Sequence, residues 1–525
     1  MMHDAGSLYG VEDAYNEIMS EIKKGNKIRV VGDYDIDGVC SSYILVKSLR
    51  RFGANADVRI PDRIKDGYGI NDNIINEAAN DKISMIITCD NGIAAHSQME
   101  LAKKLGIKVI ITDHHEVYQE DGKDYLPVAD VVINPKRSEC KYPFKSICGA
   151  LVAYKLMEYM YERLYGKKMY EDGELGDLLE VAAIATIGDV MPLVDENRVL
   201  VKHGLKSLLN TKNLGLRALI KATGMEGKKI SAYSIGFVIG PCLNAGGRLE
   251  NALVALNMFM SESSDEANEY AMHLKELNDE RKDLTAMNVK VAVELAEREY
   301  ADDDILVIYL KNCHESIAGI IAGRVREALG KPTIILTDAF GEDGMIKGSG
   351  RSIESYNMFE ALYEVKDIFE KFGGHHMAAG MSLKKDRLDE FRKRLNENSK
   401  LTKEDFIQKI WIDVPLPFSY ISHDFVRELE KLEPYGNKNE KPKFARKGIK
   451  ILSKNILGKN KNVVKMVLED DGTRLDGIYF CDGEAFFEEL KGNNEIDIIY
   501  YPDINEYGGR ESLQVIITGY KIKNI

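Results

Sequence analysis

Ile28-Arg29-Val30-Val31-Gly32-Asp33-Tyr34-Asp35-Ile36-Asp37-Gly38, residues 28–38, runs from a β-branched stretch into three alternate aspartates. Apolar residues that end on acids and are followed by small ones (Val39, Cys40, Ser41, Ser42) predict a strand, a turn that Gly38 allows, and a helix. The theme recurs at 57–62, 84–90, 108–113 and 130–135, with helically spaced apolar residues between, such as Val39, Ile44, Leu45, Leu49 and Phe52. Strand-helix alternation of this kind predicts an α/β domain on a parallel sheet. Ligands of such sheets bind outside the carboxyl ends of the strands. The runs end in Asp33 with Asp35 and Asp37, in Asp90, and in Asp113 with His114 and His115.

A single aspartate at a strand end is most simply a turn or helix-cap residue. Carboxylates gathered from several strands repel one another unless a cation lies among them. Imidazole beside carboxylates suits manganese, iron, zinc or magnesium. Asp189, after the apolar run and glycine of 185–188, completes a five- or six-ligand set. Two such metals would activate water and neutralise a phosphate in phosphodiester hydrolysis.

The order and spacing of Asp33 to Gly38, Thr88-Cys89-Asp90-Asn91-Gly92, Asp113-His114-His115 and Gly188-Asp189 resemble the four motifs of the DHH phosphoesterase family. That resemblance implies that Asp35, Asp37, Asp90, His114 and Asp189 bind two divalent metals, manganese first and magnesium second, with Asp90 bridging and His115 assisting at the scissile phosphate. Pyrophosphatase-type members carry histidine where this chain has Val31, which implies a first metal held less tightly, or by Asp33.

The 525 residues predict about three domains. With 44% hydrophobic and 30% charged residues the chain is globular, and disordered or fibrous classes are excluded. No run of 18 apolar residues and no basic-then-apolar leader occur, so neither membrane nor export is expected. Seven scattered cysteines without a C-x-x-C fit a reducing cytoplasm. A net charge of −13 leaves room only for a local basic groove.

Residues 262–299, free of Gly and Pro, predict one long helix. Apolar runs at 305–310 and 332–337 predict a second, smaller α/β domain. Gly373-Gly374-His375-His376 reads as a Gly-rich loop whose amides, with a nearby imidazole, could grip phosphate. Together with Gly348-Ser349-Gly350-Arg351-Ser352 it is similar to the DHH-associated substrate-binding domain. Runs at 411–416, 448–457, 463–470, 474–480, 495–504 and 512–522 predict a small C-terminal β-barrel, and Leu432-Glu433-Pro434-Tyr435-Gly436 with Pro442-Lys443-Phe444 resembles the entry to an OB-fold domain, which implies an OB-like β-barrel. From Lys431 to Lys465 eleven Lys and Arg face two Glu, a local charge of +9, with Tyr435 and Phe444 interleaved as candidate base-stacking rings. The single Trp411 is expected to anchor a strand.

Gly240 to Leu249, Asn278 with Arg281 and Lys282, His314 to Ser316, and Pro61-Asp62-Arg63 with Gly67-Tyr68-Gly69 resemble the RecJ family of single-strand-specific 5′ to 3′ DNA exonucleases. By that resemblance Arg63, Arg248, Ser349 and Arg351 hold the terminal 5′ phosphate or its neighbours. It also implies single-stranded DNA as substrate, a role in DNA repair and recombination, and a single-strand binding protein and a helicase as partners. The expected domains are 1–260 (catalytic), 261–300 (connecting helix), 301–400 (substrate-binding) and 401–525 (OB-fold). A DHH phosphodiesterase for short oligonucleotides or cyclic dinucleotides is the alternative, disfavoured by the basic barrel. A non-catalytic replication scaffold is the second, disfavoured by the intact acids.

Overall fold

A computed structural model describes residues 2–522, so the expected outer boundaries at 1 and 525 fall outside it. The chain forms two compact units, Met1–Gln408 and Lys409–Ile525.

In the first unit β1 (Lys27–Val31), β2 (Asn55–Arg59), β3 (Met85–Cys89), β4 (Lys108–Thr112) and β5 (Val131–Ile133) form a parallel sheet of order β2-β1-β3-β4-β5. Val31 pairs with Thr88 and Cys89 with Thr112, which brings the carboxyl ends level and lines up Asp33, Asp90 and Asp113. Helices α1 (Ile36–Arg51), α2 (Gly149–Tyr165) and α3 (Leu178–Gly188) share one core with this sheet. The small residues at the start of α1 have a steric cause. A Cβ on Gly32 would lie 2.0 Å from Ser42 Oγ, and one on Gly38 2.4 Å from the Asp33 carbonyl oxygen. Gly38 is therefore fixed by close approach of backbone, not by the left-handed φ that a turn glycine suggests.

Helix α4 (Gly240–Leu249) leads to the expected long helix, α5 (Ser264–Glu299), whose N-cap Ser263 accepts the Glu266 amide at 3.2 Å. Beyond it β6 (Leu306–Tyr309), β7 (Thr333–Asp338), β8 (Met345–Arg351), β9 (Phe369–His375) and β10 (Ala378–Lys384) form a mixed sheet of order β9-β10-β8-β7-β6, on which α6 (Ala318–Leu329) packs. Here one expectation is corrected. Gly373-Gly374-His375 is not a loop but the end of edge strand β9, paired with Gly380, Ala379 and Ala378 around a turn at His376 and Met377. Alternate small residues on both strands let them lie flat against each other, which a Gly-rich stretch read alone does not reveal.

In the second unit β11 (Val414–Pro415) precedes β12 (Phe444–Leu457), β13 (Val463–Asp470), β14 (Thr473–Tyr479), β15 (Glu495–Tyr507) and β16 (Arg510–Ile522). The order β12-β13-β14-β16-β15 closes through β12–β15 pairing into a five-stranded barrel. Helices His423–Glu430 and Gly483–Leu490 interrupt what reads as β throughout, the second capped by Asp482. Phe444 is buried in the barrel core and offers no ring to a base. The run 411–416 contributes only Val414–Pro415 as strand, and Trp411 lies outside it, 85% exposed, anchoring nothing.

Candidate metal centre and phosphate pocket

Backbone holds several of the acids at the sheet edge before they could hold anything else. Asp35 caps α1, accepting the amides of Asp37 and Gly38 at 3.0 Å. Asp37 points across to α2 and takes the Gly149 and Ala150 amides at 2.6 and 2.8 Å. Asp90 sits at a left-handed φ of 61° that turns its carboxylate inward, and Asp189 caps the C-terminus of α3. His114 Nε2 lies 3.0 Å from Asp90 Oδ1, 3.5 Å from Asp37 Oδ2 and 3.7 Å from Asp189 Oδ2.

Two donor sets with no shared residue result, Asp33 with Asp35 and Asp90, and Asp37 with His114 and Asp189, and a third, Asp90 with His114 and His115, overlaps both; in each the ligand atoms lie within 4.8 Å of one another. The contact between Asp90 and His114 joins them. Burial and mutual repulsion make this cluster costly without a cation. Burial first, then neighbouring carboxylates, push Asp33 and Asp189 up to about 8 and Asp90 well above the ordinary range, and burial with the Asp35 charge raises Asp37 against the pull of His114. Asp189 Oδ2, buried and facing His114, has no hydrogen-bond partner. Oxygen donors with one imidazole fit divalent manganese or magnesium. Val31 is fully buried beneath the site.

His115 stands at the rim with its side chain 44% exposed and its Nδ1 2.8 Å from Asp113 Oδ1. Asp113 is itself fixed by the amides of His114 (2.7 Å), His115 (3.1 Å) and Ile93 (2.9 Å). Burial pulls the His115 pKa down, but the Asp113 hydrogen bond and surrounding carboxylates outweigh it and raise it to about 9. Tyr68 Oη donates to the Asp90 carbonyl at 3.2 Å and lies 3.3 Å from His115 Nε2.

Beside the acids is a pocket of guanidiniums. Arg63 lies over the Tyr34 ring at 4.6 Å, and Arg248 on α4 donates to the Ser316 carbonyl at 2.8 Å. Burial, with Arg63 and Arg281 as like-charged neighbours, lowers Arg248 to about 10. Arg281 is steered by Asn278 at 2.9 Å. Arg351 donates to Ser349 Oγ at 3.2 Å, and both crowd α6 so closely that a Cβ on Gly319 would fall 2.8 Å from Arg351 Nη2. Strand register puts Ser349, Gly380 and Gly373 in one row and Arg351, Ala378 and His375 in the next, on the same sheet face; Gly374 lies between the rows, on the other face.

In the barrel unit the basic run is partly neutralised by acids from elsewhere in that unit. Lys431 pairs with Glu428, Arg446 with Asp470 and Asp471, Lys461 with Glu484, and Lys465 with Asp476. Tyr435 spends its hydroxyl on the Leu429 carbonyl at 2.6 Å. Lys447, Lys450 and Lys459 have no carboxylate within 4.0 Å among the described residues.

Three family models match in chain order: "DHH family, N-terminal domain" over residues 27–186, "DHHA1 domain" over 302–400 and "RecJ OB domain" over 412–519. The single-stranded-DNA-specific exonuclease RecJ of Escherichia coli is 33% identical, covering 97% of this chain and 90% of its own length. The chain belongs to the RecJ family. The Bacillus subtilis RecJ is 37% identical over 98% of this chain, which spans 64% of that protein's length. The Thermus thermophilus RecJ structure with Mn2+ superposes with a TM-score of 0.83 at 26% identity, covering 99% of this chain and 72% of that one. A second structure of that protein holds Mg2+.

Several residues of this RecJ-type site carried no assigned role in the sequence. Tyr68 stands in a quoted Gly-Tyr-Gly stretch, and Asp113 in the third motif, yet their positioning contacts are tertiary. Gly149 and Ala150 belong to no motif, because what they contribute is two amides. Asn244, whose Oδ1 accepts the Ile36 amide at 2.9 Å, ties α4 to the acidic loop.

Proposed function

We propose that this chain is an exonuclease on single-stranded DNA, the substrate that its RecJ relatives' name prints, and that it works from the 5′ end to mononucleotides in DNA repair and recombination. The observation that carries the reading is the pair of donor sets around Asp90 and His114, beside Arg63, Arg248 and Arg351, which form no ion pair with a carboxylate among the described residues. Asp33, Asp35, Asp37, Asp90, His114 and Asp189 would hold two divalent ions, manganese first and magnesium second; the Thermus relative's structures, in complex with Mn2+ and with Mg2+, support the choice of metals. When bound, such a pair activates water near neutral pH and offsets the phosphate's developing charge.

The remaining work belongs to side chains. Arg63, Arg248, Ser349 and Arg351 grip the 5′ phosphate, the arginines through their bidentate forks. Gly373, Gly374 and His375 line that end of the sheet, the glycines giving close approach to backbone. His115, with Nδ1 committed to Asp113, offers Nε2 to an oxygen of the scissile phosphate and carries its proton at neutral pH. We take 1–260 as the catalytic, 261–300 as the connecting, 301–400 as the substrate-binding and 401–525 as the strand-binding division. A cytoplasmic setting, with a single-strand binding protein and a helicase to expose substrate, follows from the same reading.

The test supplies the protein and manganese with a 5′-labelled long single strand, its duplex and a dinucleotide, with Asp90→Ala as control. Labelled mononucleotide from the long single strand and not from its duplex, absent in the control, supports the exonuclease. Turnover of the dinucleotide with the strand untouched would move the chain to the small-substrate phosphodiesterases, and intact DNA binding without hydrolysis to the scaffolds.

A further inference from the structure

The helix that ends in the phosphate pocket begins well before α4. Residues 232–249 are one continuous helix, opened by the Ser231 capping box and widened to a π-turn over Ile235–Ile239. Pro241 explains the widening. It has no N–H for the Phe237 carbonyl four residues back, and its ring presses against that carbonyl. Gly240 tolerates the crowding, since a Cβ there would sit 2.7 Å from the Ile235 carbonyl oxygen.

On the outer face of the wide turn Tyr233 and Phe237 are 68% and 62% exposed, and their rings stack at 4.7 Å with 28° between planes. Two large rings held against each other in water have an unused apolar face. The inner face is anchored to the metal centre. Gly240 packs on Ile36, between Asp35 and Asp37, and Gly236 faces Ile187, two residues before Asp189. Spacings of four, four, three and four carry the helix from Tyr233 through Phe237, Pro241 and Asn244 to Arg248, a single stripe. Its far end holds the acidic loop through Asn244 and donates to the phosphate pocket's wall through Arg248. Helical rise puts about 16 Å between residues 237 and 248. At ~3.4 Å per stacked nucleotide, and more when extended, that is no more than about five nucleotides.

We propose that the stacked Tyr233–Phe237 pair is a base-stacking platform for the substrate strand on the 3′ side of the scissile phosphate. It rests on the single-strand reading above and adds to it a site that orients the strand beyond the metals. Aromatic faces accept any base, so the platform grips without sequence preference.

The test uses strands in which one 2-aminopurine is moved stepwise inward from the 5′ end, bound to the full chain carrying Asp90→Asn. Quenching is expected within the first five or so nucleotides, lost in Tyr233→Ala/Phe237→Ala and kept in Phe237→Tyr. In the Asp90 protein with manganese, the double substitution is expected to lower kcat/KM for a long strand roughly tenfold more than for a dinucleotide. An unchanged quenching profile would overturn the proposal, as would equal losses on strand and dinucleotide, which would mean that the pair acts through the metal loop. The quenching is read from binding without turnover, so failure of the platform and failure of the exonuclease reading are separate results.

Discussion

Asp90 and Asp113 look alike in sequence and do opposite things. Asp90, buried among carboxylates, has its pKa raised, whereas Asp113 is held below the ordinary range: burial pushes it up, but the His115 hydrogen bond and charge, with the Ile93 amide, outweigh that. Asp90→Asn is expected to cut kcat by about three orders of magnitude or more, read as release of labelled nucleotide. Asp113→Asn leaves the metal donors in place and is expected to cost roughly 10- to 100-fold. It should also move the alkaline limb of the pH profile down from about 9 toward ordinary histidine, because His115 loses the carboxylate that keeps it protonated. Chelator-treated protein should lose stability as pH rises. From the ordinary aspartate value of 3.8 up to about 8, folded Asp33 and Asp189 retain protons that the unfolded chain has released, so the melting temperature falls across that window, and His115, raised to about 9, carries the fall on to about pH 9. Asp33→Asn should make the fall shallower, and manganese should raise the melting temperature more at pH 8 than at pH 5.

Among the elements, helix α2 contributes its start rather than its length. Its first two amides hold Asp37, and a Cβ on Gly149 would lie 2.7 Å from the Asp90 Cβ. Gly149→Ala is expected to destabilise by about 1–3 kcal/mol and to lower kcat with it, measured by denaturant unfolding and turnover. Strand β9 shows the limit of local reading. Gly373, Gly374 and His375 look like a phosphate loop until register against β10 makes them an edge strand on which Gly373 and His375 share a face with Ser349 and Arg351. In the barrel, alternation sends Phe444 inward although Lys443 and Arg446 beside it are charged.

For the whole molecule, the sum of charges misleads in both directions. The chain is acidic overall, yet its barrel unit carries a basic run, and that run is weaker than its +9 count because acids from other parts of the barrel unit pair with it. Lys447, Lys450 and Lys459, like Lys438 and Lys454, have no carboxylate within 4.0 Å among the described residues. Replacing Lys447, Lys450 and Lys459 with alanine should reduce the slope of log affinity against log salt for single-stranded DNA by about 2, with dinucleotide turnover kept. A change in that turnover would mean that the barrel's charge acts on chemistry rather than on strand capture.

Strand ends, the acidic and histidine motifs, the long helix and the barrel's strands were legible in the sequence, because period-2 and period-3.6 patterning and clustered acids are local properties of the chain. The acids and histidine of the clustered donor sets, Asp33, Asp35, Asp37, Asp90, His114 and Asp189, were legible for the same reason, each standing at or just after the end of a patterned run. What the tertiary structure alone decided is which partners orient them. Asp37 needs amides 112 residues away, the Ile36 amide needs Asn244, and Arg248 needs the Ser316 carbonyl. Whether Phe444 or Trp411 faces water, and whether two glycines are loop or strand, also waited on the fold. A long-range hydrogen bond, a strand register and a burial all depend on what packs opposite, and no stretch of sequence carries that by itself.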